Sequence, residues 1–188
     1  MKKTQLIMLL LLTAIGFQSC KKDATTSAST TSDKILSANI NGNAWNPDTV
    51  RAAITYNDAA KTKAFTVVGT ANQQQVRINI TLPNSTNDND FPLATYKVDA
   101  TTRVVLNYDE YKQLPDGSYD YVPVGTVEAG SGSVIITAID KDKKLITGTY
   151  SFSTRHIDKD EEGNIISITT VNVLLGTFTN LPYSFVAN

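Results

Sequence analysis

Few side chains in this sequence are equipped for covalent or acid–base chemistry, and they stand apart. Cys20 is the only cysteine and His156 the only histidine. A serine nucleophile needs a histidine beside it and a Gly-x-Ser-x-Gly elbow to present it. No such spacing occurs, and "GSGSV" at 130–134 reads as the flexible start of a strand. His156 then reads as a solvated side chain at a strand end, just before an acidic turn. That turn, "DKDEEGN" at 158–164, crowds four acids into five positions before a glycine. It begins like a calcium-binding loop, with Asp158, Asp160 and Glu162 as candidate ligands. The bidentate acid that such a loop needs at its twelfth position would be Thr169. A charged hairpin tip is therefore the preferred reading, with calcium as the alternative. "NSTNDND" at 84–90 is a second oxygen-rich loop and reads the same way. Nothing here implies a cofactor. Paired carboxylates for glycoside hydrolysis would have to come from separate strands, and the spacing nominates no pair.

The aromatic residues suggest binding instead. Four of the eight tyrosines fall in "YDEYKQLPDGSYDY" at 108–121, namely Tyr108, Tyr111, Tyr119 and Tyr121. Pro115-Asp116-Gly117 suits a three-residue loop, because proline presets the first position and glycine takes the left-handed one. That loop pairs Leu114 with Ser118, Gln113 with Tyr119 and Tyr111 with Tyr121. Tyr111, Tyr119 and Tyr121 then share one face, and Glu110, Lys112 and Asp120 the other. A two-residue loop would send Tyr111 to the opposite face. The three rings either cover the core or stand out as a binding surface. Trp45, just after the Asn41-Gly42 turn, is either a core plug or a further stacking platform for a sugar or another flat ligand.

The head of the chain bears on where such a surface would work. Met1-Lys2-Lys3 is positive, and the run from Leu6 to Phe17 is almost wholly apolar. A dozen or so apolar residues make a secretory core and fall short of the ~20 needed to span a bilayer. Phe17-Gln18-Ser19-Cys20 resembles the lipobox of a type II signal peptide, departing from its usual pattern at Phe17 and Gln18. The resemblance implies cleavage before Cys20 and acylation of its thiol. The alternative is an ordinary secretory leader that leaves Cys20 as a spare thiol. A lone cysteine cannot form an internal disulfide, and no zinc or redox partners lie near it. The reading is a signal peptide at 1–19, then lipidated Cys20 with the flexible Ser/Thr/Ala linker to residue 33, and a single β-domain at 34–188. Losing Lys2 and Lys3 with the leader turns a formal charge of −1 into −3, which leaves no basic footprint for nucleic acid.

The elements that must hold these residues alternate with period two. "VRINITL" sets Val76, Ile78, Ile80 and Leu82 against Arg77, Asn79 and Thr81. "LITGTYSFST" sets Ile146, Gly148, Tyr150 and Phe152, the face expected to be buried, against Thr147, Thr149, Ser151 and Ser153. Further strands are expected at 36–40, 50–56, 64–70, 94–98, 103–114, 118–127, 133–140, 165–174 and 176–181, divided by turn residues. No helical period appears beyond the leader. The class is all-β, an antiparallel meander closed as a barrel or folded as a two-sheet sandwich.

The second half also resembles a family of uncharacterised Bacteroidota envelope lipoproteins. The shared pattern is Gly130-Ser131-Gly132, an "xIxIT" strand at 134–137, a charged turn at 140–144, a "GTFSF"-like strand at 148–152, Ile168-Thr169 and a final Gly176-x-Phe178. "ANINGNAWN" at 38–46 matches the family's Gly turn followed by tryptophan. Where the family carries "ITDG", this chain has "ITTVNVLLG" from Ile168, so its last hairpin is where a departure is expected. The resemblance implies an all-β envelope lipoprotein and transfers no catalytic residues. Two functions follow as expectations. One is a non-catalytic binding or structural module, held on the outer membrane by its lipid, facing the periplasm or the surface, with an envelope protein or a glycan as partner. The alternative is a hydrolase using dispersed carboxylates.

Overall fold

The computed structural model describes residues 34–188 apart from Ala100 and Thr102. Cys20, the leader and the linker lie outside the described residues. Twelve strands and no helices make up the regular structure among those residues. They form two six-stranded sheets. The first runs in the order β2 (Asn43–Trp45), β1 (Leu36–Ile40), β11 (Ile165–Pro182), β10 (Leu145–Lys159), β9 (Gly132–Asp140), β6 (Thr95–Lys97). The second runs β12 (Ser184–Ala187), β3 (Thr49–Asn57), β4 (Thr62–Ala71), β5 (Gln74–Leu82), β7 (Val104–Gln113), β8 (Tyr119–Pro123). The sheets remain separate, so the fold is a sandwich and not a closed barrel.

Period-two alternation sends one side of each sheet inward. Ile146, Gly148, Tyr150 and Phe152 are all buried, as their spacing required. Val76, Ile78 and Ile80 meet them from β5, and Phe65 and Val67 from β4. Phe65 lies 5.6 Å from Phe91 and 5.9 Å from Phe178, ring centre to ring centre. Burying each such side chain contributes ~1.5–3 kcal/mol. Strand β4 crosses the opposite sheet obliquely: Phe65 sits over Phe178 of β11, and Gly69 over Leu36 and Trp45. A Cβ at Gly69 would come within 2.4 Å of Leu36 and 3.0 Å of the Trp45 ring, so both side chains pack where that position is bare.

The meander holds for β3–β4–β5 and for β9–β10–β11; it fails at β6, which leaves β5 to pair with β9 of the other sheet, and at the chain's two ends. Strand β1 pairs with the far end of the sequence, Leu36 opposite Phe178. Strand β12 lies parallel to β3, Ser184 opposite Ala53. The two strands expected at 165–174 and 176–181 are one strand, interrupted by a bulge. Pairing with β10 steps from Phe152↔Val173 to Tyr150↔Gly176, leaving two residues on β11 opposite one. Leu175 in that bulge has φ +52° and is 81% exposed. The strand expected to reach residue 127 stops at Pro123, and Thr126 leaves to form a lone bridge with Arg155 of the other sheet.

Candidate binding surface

The tyrosine hairpin, β7–β8, has the three-residue loop that its turn residues require. Gly117 takes φ +86° and donates its N–H to the Leu114 carbonyl at 2.9 Å. Asp116 accepts from the Ser118 N–H at 2.9 Å and from its hydroxyl at 2.6 Å. Leu114 faces Ser118, Gln113 faces Tyr119 and Tyr111 faces Tyr121. Tyr111, Tyr119 and Tyr121 therefore share one side, which is the outer face of the second sheet. Tyr111 is 41% exposed, Tyr119 57%, and Tyr121 is half-buried. The Tyr111 ring stacks on Tyr119 at 5.6 Å and tilts against Tyr121 at 5.1 Å. Tyr108, of opposite parity, points into the core. Burial, and then the neighbouring Glu110 carboxylate, push its hydroxyl up to about 12.

Below the rings the face becomes polar. Strand pairing sets Thr49, Thr70, Gln75, Asp109 and Pro123 in one row, and Arg51, Val68, Arg77 and Asn107 in the next. Asp109 has no exposed surface, although it stands on the outer side. Arg77 covers it with two bonds, Nε at 2.7 Å and Nη2 at 2.9 Å. This bidentate pair cancels both charges. Arg51 makes no hydrogen bond or ion pair among the described residues and lines a hollow of about 240 Å³ with Thr49, Val68, Thr70 and Gln75. The face has one carboxylate, and that carboxylate is consumed, so no acid pair of the glycosidase kind forms on it.

The other candidates fall elsewhere. Trp45 is the core plug of its two readings, at 3% exposure and with its indole N–H unpartnered among the described residues, so it is not part of the tyrosine surface. Asp158, Asp160 and Glu162 lie along the β10–β11 tip and do not converge. Asp158 bonds His156 at 3.0 Å and the Ser167 hydroxyl, while Asp160 closes the turn onto Asn164 at 2.7 Å. Among the described residues, no group of three or more His, Cys, Asp or Glu could hold a metal ion. The 84–90 loop is tied to the sandwich end by Lys63, which is buried and donates to Asp88 at 2.6 Å and to the Asp90 carbonyl at 2.9 Å. The Lys63 bond, followed by that from Thr86, holds the Asp88 carboxyl down to about 2.

Sequence reasoning found the tyrosines and missed Arg51, Gln75, Asn107 and Asp109. The alternation did mark Arg77 and Asn79 as outward, but which outward residues become neighbours depends on lateral strand order. A family model described as Domain of unknown function (DUF6252) matches residues 32–182. Neither the curated proteins nor the solved structures contain a match.

Proposed function

The chain belongs to the DUF6252 family of unknown function, and on that premise we propose that it is a non-catalytic binding or structural module of the cell envelope, held on the outer membrane by a lipid on Cys20. The observation that carries the binding part is the tyrosine trio, with Tyr119 and Tyr121 each packed on Tyr111 on the outside of a sheet that needs none of them for its core. A tyrosine offers a broad apolar ring and one polar handle, which suits a surface alternately wet and covered. The face beneath it carries amides, hydroxyls and arginines without a working pair of acids, which favours recognition over hydrolysis. The anchoring part rests on the leader and on Phe17-Gln18-Ser19-Cys20, together with the likeness to Bacteroidota envelope lipoproteins.

Expression of the full chain in a Gram-negative host tests the anchor. The protein is expected in the membrane fraction, with fatty-acid label on Cys20, because two or three acyl chains exceed the marginal hold of one. Cys20→Ala is expected to release it or to stall its processing. Unchanged membrane retention of a normally processed Cys20→Ala protein refutes the reading.

A further inference from the structure

We propose that the outer face of the second sheet, from the Tyr111–Tyr119–Tyr121 platform to Arg51, binds an acidic glycan, a chain of sugars carrying a carboxylate. The proposal rests on the binding-module reading above and names its ligand class.

The middle of the face is interior to the sheet; its ends are the edge strand β8, which carries Tyr119 and Tyr121, and Arg51 of β3, outside the stretch from Ala53 to Tyr56 that pairs with β12. Strands β4, β5 and β7 are paired on both sides, so their backbone groups are already satisfied by neighbours. A ligand lying across them is recognised by side chains alone, which excludes the strand addition by which many peptides bind. The side chains on offer are the Asn107 amide and those of Gln75 and Asn79, which donate long bonds of 3.4 Å to Thr70 and Thr66 and keep further capacity, Asn79 also accepting from Thr81 at 3.1 Å. A sugar hydroxyl likewise donates and accepts, and its ring presents C–H faces that an exposed phenol ring can cover. Rings and amides on one flat surface therefore match a saccharide at both kinds of contact.

The charge pattern narrows the class. Arg77 is neutralised by Asp109, and its Nε and Nη2 are committed there, which leaves Nη1 without a protein partner among the described residues. It serves as a neutral, rigid donor. Arg51 is a free guanidinium in a hollow, and a guanidinium fork fits a carboxylate with two parallel bonds. The rows of the face thus carry two arginines against one aspartate, a surplus of one positive charge at the end far from the tyrosines. Three strand spacings and four residues along a strand separate Arg51 from Tyr111, about 20 Å on the sheet lattice. That span takes several sugar units, with an uncharged part on the rings and a uronic acid on Arg51.

The test uses the full chain in detergent, titrated by calorimetry. The probes are oligogalacturonate, oligoalginate and hyaluronan fragments, with maltohexaose and cellohexaose as neutral sugars and polyglutamate as an anionic peptide. At least one uronic-acid oligosaccharide is expected to bind. Arg51→Ala is expected to weaken that binding about tenfold or more, and Tyr119→Ala about fivefold. Both side chains are exposed, so the melting temperature is expected to hold in each variant. Arg51→Lys keeps the charge without the fork and is expected to recover only part of the loss. Binding of a neutral sugar that is indifferent to Arg51→Ala overturns the proposal, as does binding of polyglutamate alone or of no probe at all. Such a failure leaves the Cys20 fractionation result untouched, so the ligand class and the anchored-module reading fall separately.

Discussion

The β7–β8 hairpin and the distal part of the β10–β11 pair both run past their neighbouring strands, one clothed in tyrosine and the other in isoleucine. Their tips share a plan. Each has an aspartate that bonds onward into its own turn, Asp116 to Ser118 and Asp160 to Asn164, and a glycine with positive φ, Gly117 and Gly163. Their walls differ. Tyr119 and Tyr121 pack on Tyr111, and each ring carries a hydroxyl. Ile165, Ile166 and Ile168 are 56%, 68% and 48% exposed, with no polar atom to hydrate. The run "IISITTVNVLL" at 165–175 is uncharged and rich in strand formers, the composition that pairs with other copies. The charges of "DKDEE" just before it therefore have a physical role without any metal: they keep the ribbon soluble. Exposure alone does not nominate a binding surface; the chemistry at the exposed end does.

The roots of the two hairpins also differ, and a pair of arginine variants makes the contrast largest. Arg77→Met leaves the Asp109 carboxylate buried and unpaired under the tyrosine hairpin. Arg77 is itself 40% exposed, so breaking this half-buried pair is expected to cost about 3 kcal/mol in urea unfolding, the low end of the range for buried pairs. Adding Asp109→Leu is expected to restore most of it. Arg155, at the root of the isoleucine ribbon, meets Glu128 at 3.5 Å with both side chains about half exposed. Arg155→Ala is expected to cost about 1 kcal/mol or less. Equal losses would erase the distinction between a root held by a buried pair and one held by backbone.

The ribbon's root is Gly125. It has φ +76°, and a Cβ there would lie 2.5 Å from the Arg155 carbonyl carbon and oxygen. That bare approach lets Thr126 exchange two backbone hydrogen bonds with Arg155, at 3.0 and 2.8 Å. Gly125→Ala is expected to break the bridge at a cost of about 2–3 kcal/mol. Hydrogen exchange at the Thr126 and Arg155 amides is expected to quicken, while the Leu114 and Val124 amides of the tyrosine hairpin, bonded to the Ser118 and Tyr108 carbonyls, keep their protection. Loss of protection in both hairpins together would show that they open as one unit.

The two hairpins also mark where the sequence was legible. Pro115-Asp116-Gly117 sets a loop length, and loop length sets register, so the shared tyrosine face could be read from fourteen residues. Alternation likewise placed Ile146, Tyr150 and Phe152 inward. Lateral order is a different matter. The meander expectation sets β3, β4 and β5 side by side, but nothing local says that β7 follows β5 and brings Asn107 into one face with Arg51 and Gln75 while β6 leaves for the other sheet, or that β1 waits for β11. Trp45 packs where Gly69 is bare across the sandwich, a residue far from it in the chain. The Leu174-Leu175 bulge hides inside an unbroken apolar run, where the periodicity suggested two strands and the chain makes one.

The smallest effect tests the feature the hairpins share. In the folded protein Asp116 is lowered chiefly by the Ser118 hydroxyl and Asp160 chiefly by the Asn164 side chain, each with further help from a backbone N–H. Both carboxylates are open to water, so their contribution to global stability is slight. A depressed folded value means that each turn is fully supported above the ordinary aspartate range of about 3.9 and loses its support as pH falls through the lower, folded value. An NMR titration from pH 6 to pH 2, read at the Ser118 and Asn164 amides and at the two carboxyl carbons, is expected to show both midpoints below about 3.9. Asp116→Asn and Asp160→Asn keep an acceptor and remove the proton, so they are expected to abolish the pH response at their own tip only. The two tips are expected to titrate alike although one wall is tyrosine and the other isoleucine, because the turn and not the wall holds the carboxylate. A midpoint at or above the ordinary value at either tip would break the parallel: that aspartate would be free in solution, and the similarity of the two turns would lie in their backbones alone.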